Sequence, residues 1–227
     1  MPNPATDPNR EVLLKLIEGR PNIAGRFSRL RRRGPAGGGG WFSLVLEADD
    51  NTTGGTAIIK VFHPQEMSDL YRFGCFKREA DILATLQGQA DIVQLVHPHD
   101  QFTEVLTSHV GPFPMNFSYY AVEVASTDLD SQLRSAGCPN TIDALVQFNS
   151  MCRAVQRIHA RRIAHRDLKP SNFLIMADRS LRLSDFGTAR DFRDKSASGR
   201  FSPRSVSYTH LRAHETKANL VCRLLLE

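Results

Sequence analysis

A chain of 227 residues, 41% of them hydrophobic, can bury one sizeable core or two small ones. It has no apolar run of membrane-spanning length, and the opening MPNPATDPNREVLLKL lacks the basic head and apolar stretch of a secretory leader, so a soluble cytoplasmic or nuclear protein is expected. The net charge of +5 owes much to RLRRR at Arg29–Arg33, read as a solvated face, so neither nucleic acid nor membrane is expected as a partner.

RFSRLRRRG and WFSLVLEAD carry enough β-formers for two strands, and GPAGGGG between them supplies a glycine-rich bend. DDNTTGG is a second turn, and TAIIKVF after it reads as a third, largely buried strand. From Pro64 to Leu86 the spacing is helical, with Phe76, Ile82, Leu83 and Leu86 on one side, and DIVQLV and FSYYAVEVA return to strand character. Beyond Ser126, DLDSQLRS is short and helical. TIDALVQFNSMCRAVQRIHARR is a long amphipathic helix opened by a Thr cap, with Asp143 in its first turn. NFLIMADRSLRLSDF reads as two short strands around a turn. The fold class is therefore α+β, with a five-stranded antiparallel sheet and one helix followed by a mainly helical unit. Cys75, Cys138, Cys152 and Cys222 have no metal-ligand spacing and are expected as reduced, buried thiols.

Transfer of a phosphoryl group from ATP needs the phosphates clamped, Mg²⁺ held and the accepting hydroxyl aimed in line. Four pieces of the chain supply those needs in order. GGGWFSLV places Gly38, Gly40 and Ser43 in a GxGxxGxV frame ending at Val45, where a strand turn can approach phosphates. AIIK places Lys60 on the third strand within reach of the α- and β-phosphates, and KREADIL offers Glu79 as its ion-pair partner. HRDLKPSN gives Asp167 to accept the hydroxyl proton, Lys169 to steady the phosphoryl group and Asn172 for metal, while SDFG gives Asp185 for Mg²⁺. His165 reads as a packed core histidine.

These motifs together resemble the eukaryotic protein kinases, and Lys169 two residues after Asp167 resembles their serine/threonine class. The resemblance covers about residues 20–205 and implies a bilobal fold: an extension over 1–19, an N-lobe over 20–125 and a partial, mainly helical C-lobe over 126–205. It further implies Val45, Ala57 and Leu174 around the adenine, Val122 as gatekeeper, and backbone groups of Glu123 and Ala125 on the base. Asp128 would lie near the ribose, and Leu83, Leu95, His165 and Phe186 would stack as a spine. The implied partners are a protein substrate with Ser or Thr and an upstream activating kinase. Arg166 would grip a phosphate on the segment bearing Ser196, Ser198, Ser202 and Ser205.

Two alternatives are a binding-only pseudokinase or scaffold, which Lys60, Asp167, Asn172 and Asp185 argue against, and a small-molecule kinase of the aminoglycoside type, for which the HRDLKP and DFG wording is foreign. The final 22 residues, Val206–Glu227, contain no A-P-E motif and resemble translated sequencing-adapter read-through: written back into codons they fit a transposase-type adapter, an index and a primer in one frame. The expectation is therefore an inactive fragment, with the helix face around Phe148, Cys152, Val155 and Ile158 short of packing neighbours.

Overall fold

The computed structural model describes residues 8–33, 43–62, 70–108, 111–137 and 139–193. Met1–Asp191 form one compact unit. Its main sheet runs β1 (Asn22–Ile23), β2 (Phe27–Arg32), β3 (Ser43–Asp50), β4 (Thr56–Phe62), β6 (Gly111–Val122), β5 (Leu95–Ser108). All neighbours in it are antiparallel. The five expected strands are present, and the two-residue β1 adds a sixth at the edge. DIVQLV is only partly strand: Ile92 makes an isolated parallel bridge to Leu183, and β5 begins at Leu95.

Alternation along the strands divides the sheet into two apolar faces. Ala57, Ile59 and Val61 of β4 point to one core together with Leu44, Leu46 and Ala48, while Ile58 and Phe62 point to the other. Phe27 and Leu30 are three apart yet share a core, because β2 is irregular between Ser28 and Arg31, with Arg29 at φ +50°. Within the expected N-terminal extension, helix α1 (Pro8–Glu18) inserts Leu14 and Ile17, one turn apart, into that same core. The arginine cluster is largely neutralised by nearby acids. Arg31 pairs with Glu47 at 2.7 Å and Asp49 at 2.9 Å, Arg32 with Glu11 at 2.8 Å and Glu18 at 2.9 Å, and Arg29 with Asp49.

Asp50, buried at the end of β3, accepts from Arg26 at 2.8 and 2.7 Å, from the Thr52 amide at 3.0 Å and from the Thr53 hydroxyl at 3.0 Å. The Arg26 guanidinium beside it holds its carboxyl well below the usual carboxylate range. Since the folded pKa is depressed, this contribution to stability is complete above the unfolded value of about 3.9 and is lost as pH falls further. Asp50→Ala leaves Arg26 without its main partner and is expected to cost about 3 kcal/mol in urea denaturation at pH 7. The acid-dependent loss expected below pH ~4 in the parent should shrink in the variant.

Helix α2 (Leu70–Thr85) crosses the other face of the sheet and buries Phe76, Ile82 and Leu83, with Leu86 just beyond its end. Its expected first residues fall among 63–69, outside the described residues. The chain then forms β7 (Thr127–Asp128), α3 (Leu129–Ala136) and α4 (Thr141–Ala160), followed by β8 (Ile163–Ala164), β9 (Phe173–Ile175), β10 (Leu181–Leu183) and β11 (Arg190–Asp191). The cap of α4 is Asn140, not Thr141: its side chain accepts from the Asp143 amide at 3.0 Å, and Thr141 is the first helical residue. The apolar face of α4 is split. Ala154 and Ile158 are buried beside Leu183 and Phe186, whereas Ile142, Leu145 and Val146 are 74%, 53% and 61% exposed, and Phe148 is exposed as well. Of the cysteines, Cys75 is buried, Cys152 is exposed against expectation, and Cys138 and Cys222 lie outside the described residues. Among the described residues no helix is long and apolar enough to cross a membrane.

Candidate active site

The roof of the site is built by cross-strand register. Val45 of β3 lies opposite Lys60 of β4, which lies opposite Tyr120 of β6, so the three side chains share one row on one face. Ile58 lies opposite Val122 in the next row. Lys60 Nζ donates to Glu79 Oε1 of α2 at 2.7 Å and sits 5.7 Å from the Tyr120 ring centroid. Burial acts to lower the Lys60 pKa, but the charges of Glu79 and Asp185 outweigh it, so the ammonium is held above its ordinary value. Ser43 opens β3 in extended backbone outside the left-handed region, so a serine in place of the third glycine carries no strain there.

The floor comes from residues 163–189. Asp167 Oδ2 accepts from Lys169 Nζ at 2.7 Å and from Asn172 Nδ2 at 3.2 Å; the same Asn172 nitrogen donates to the Asp167 carbonyl at 2.7 Å. Pro170–Asn172 form a 3₁₀ turn that buries Asn172. The Asn172 carbonyl is gripped by Ser184, from its amide at 2.8 Å and its hydroxyl at 3.0 Å, which fixes the metal candidate Asn172 against the residue preceding Asp185. Asp185 has φ +62° and Arg166 φ +71°, strained for non-glycine residues and of the kind that clusters at functional sites. His165 is a core residue, as expected: its Nε2 donates to the Ser184 carbonyl at 2.9 Å, its ring meets Phe186 edge-on at 4.9 Å, and burial pushes its pKa down. Leu83 and Phe186 lie in the same core, with Leu95 packed against it.

Roof and floor enclose a cavity of about 930 Å³. It is lined by the expected Ser43, Val45, Lys60 and Glu79 from the roof, Val122, Glu123, Ala125 and Asp128 from the connection between roof and floor, and Asp167, Lys169, Asn172, Leu174 and Asp185 from the floor. Ala57 is the exception and is corrected. It lies opposite Ala48 and is buried on the far side of the sheet; the residue two before Lys60, Ile58, occupies the cavity wall instead. Gly38 and Gly40 lie outside the described residues. Asp128 serves a second purpose, capping α3 by accepting from the Ser131 amide at 2.9 Å and hydroxyl at 2.7 Å. The sequence reading missed Arg33, which lines the cavity and donates to the Ala125 carbonyl.

Hard oxygen donors suit Mg²⁺, which binds through one or two protein side chains and takes substrate phosphates and water for the rest. The Asn172 amide and Asp185 carboxylate fit that description. Among the described residues no group of three His, Cys, Asp or Glu could hold a metal by itself.

The family model described as "Protein kinase domain" matches residues 34–212. The chain belongs to the protein kinase family. Among curated relatives, the chain is 31% identical over 156 residues to cyclin-dependent kinase D-1 of Oryza sativa subsp. indica, covering 68% of this chain and 33% of the relative. It is 28% identical over 174 residues to CBL-interacting protein kinase 11 of Oryza sativa subsp. japonica, covering 76% and 31%. With mitogen-activated protein kinase 11 of the same rice it shares 31% over 157 residues, covering 67% and 25%. The chain thus spans about a third or less of the length of these relatives. The sheet with α2 over it, and the helices and short strands that follow, are those of a protein kinase domain with few helices in its second part.

Proposed function

We propose that this protein is an ATP- and Mg²⁺-dependent protein serine/threonine kinase. The observation that carries the reading is that the Lys60–Glu79 pair, joined at 2.7 Å, opens onto the same cavity as Asp167, Asn172 and Asp185. Lys60 is placed to bind the α- and β-phosphates, and Glu79 keeps it charged and aimed. The adenine would lie between Val45 and Ile58 above and Leu174 below, against the backbone of Glu123 and Ala125. Asn172 and Asp185 would hold Mg²⁺, which when bound would supply charge neutralisation for the phosphates. Asp167 orients the substrate hydroxyl: its oxygen bonds to the γ-phosphorus, the bond to the β–γ bridging oxygen breaks, ADP leaves, and the hydroxyl proton passes to the Asp167 carboxylate. Lys169, 2.7 Å from Asp167, steadies the phosphoryl group in flight. The serine/threonine class rests on Lys169, two residues after Asp167.

The test is incubation of the purified full-length protein with radiolabelled Mg·ATP and a mixed-sequence protein acceptor such as casein. Label stable on serine and threonine, and absent from a Lys60→Met preparation, is expected. A thermal shift on Mg·ATP without transfer would instead make the protein a nucleotide-binding scaffold. Transfer to aminoglycosides and not to protein would make it a small-molecule kinase.

A further inference from the structure

Glu123 contributes more than its backbone to the cavity. Its carboxylate is shared by two other parts of the fold. Arg182 of β10 donates from one nitrogen to both its oxygens, at 2.6 and 2.5 Å, and the Gln94 amide donates to Oε1 at 2.8 Å. The Gln94 carbonyl in turn accepts from the Glu123 amide at 3.1 Å. Gln94 is itself anchored in the loop after α2: its side-chain nitrogen donates to the Ile92 carbonyl at 2.6 Å and the Gln89 carbonyl at 2.9 Å. That loop is also fixed to β10 by backbone bonds, Val93 amide to Leu183 carbonyl at 3.0 Å and Leu183 amide to Asp91 carbonyl at 2.9 Å.

The placement of Arg182 gives the arrangement its meaning. In the β9–β10 hairpin Arg182 lies directly opposite Leu174, the floor of the slot, and three residues before Asp185. Arg182 and Glu123 side chains are only 20% and 22% exposed, so their attraction is screened far less than that of a surface pair. A charge-assisted bond between the wall at Glu123 and the hairpin bearing Leu174 sets how far wall and floor can separate. We infer that Arg182 is a positioning residue for the nucleotide slot: through Glu123 and Gln94 it restrains opening of the 123–125 segment from the floor and thereby limits the rate of nucleotide exchange. This rests on the proposed nucleotide site and adds to it a residue that touches no nucleotide.

The experiment combines two readouts on the parent, Arg182→Met, Arg182→Lys, Glu123→Gln and the Met/Gln double variant. Hydrogen exchange at the Glu123, Val124 and Ala125 amides is measured without nucleotide, and release of a fluorescent mant-ADP is followed by stopped flow with Mg²⁺ present. Arg182→Met is expected to speed exchange at these amides and to raise the release rate about tenfold, an effect on dissociation and not on association. Arg182→Lys should recover most of the parental behaviour, and the double variant should match the singles, as residues acting through one contact do not add. Parental amide exchange in both single variants, or additive effects in the double, overturns the inference. If the parent takes up no mant-ADP, the nucleotide reading fails, and amide exchange alone then decides whether the restraint exists.

Discussion

In the full-length protein, Asp167→Asn is expected to lower kcat for protein phosphorylation by about three orders of magnitude, with nucleotide affinity changed less than about twofold. The substitution keeps the side chain's shape and one oxygen, so Asn172 retains its bond to the main-chain carbonyl of residue 167 at 2.7 Å and the loop is not released. What disappears is the carboxylate proposed to orient the accepting hydroxyl and receive its proton. The 2.7 Å partnership with Lys169 also loses its charge, which leaves that ammonium free to move from the phosphoryl path. Steady-state kinetics beside a mant-ADP titration separates the two effects. A loss of nucleotide affinity as large as the loss of turnover would place Asp167 among the binding groups and refute the assignment.

The catalytic wording was legible in the sequence because its residues are close in the chain: Asp167, Lys169 and Asn172 fall within six positions, and a tight turn has few ways to arrange them. Lys60 and Glu79 were legible because a strand and a helix each fix the direction of one side chain. Ala57 shows the limit of that reasoning. In a strand buried on both faces, AIIKVF offers no polar alternation to mark which side is which, and only the position of Lys60 sets the phase; two steps back from it is Ile58, not Ala57. Arg33 was hidden because its partner, the Ala125 carbonyl, is a backbone atom 92 residues away with no signature of its own. The same holds for Arg182, whose partner Glu123 is 59 residues distant. Helix α1 did have a local signal, Leu14 and Ile17 with Gly19 beyond the end, but two buried residues carry little weight until the sheet they cover is known.

In the full-length protein, Asp185→Asn is expected to remove the response to Mg²⁺ as well as the chemistry. Position 185 has φ +62°, and asparagine is among the few side chains that adopt this region readily, so the backbone of the SDFG turn is preserved and the change is close to a pure loss of charge. The fold around it has independent support, with Phe186 fully buried and the Ser184 amide bonded to the Asn172 carbonyl at 2.8 Å. Lys60 keeps Glu79 at 2.7 Å, so the cation facing the phosphates survives even though one of the two anions that raise its pKa is gone. With only amide oxygens at 172 and 185, the site offers no anionic ligand to a strongly hydrated divalent ion, which surrenders its waters reluctantly. The Mg²⁺-dependent tightening of ATP binding should therefore vanish, and phosphoryl transfer should fall by at least about three orders of magnitude, since charge neutralisation by metal contributes several kcal/mol to such a transition state. Isothermal titration with ATP at graded Mg²⁺ reads the first effect and a radiolabel transfer assay the second. Retention of a parental Mg²⁺ response in the variant would mean that the metal is held elsewhere, and Asp185 would lose its assigned role.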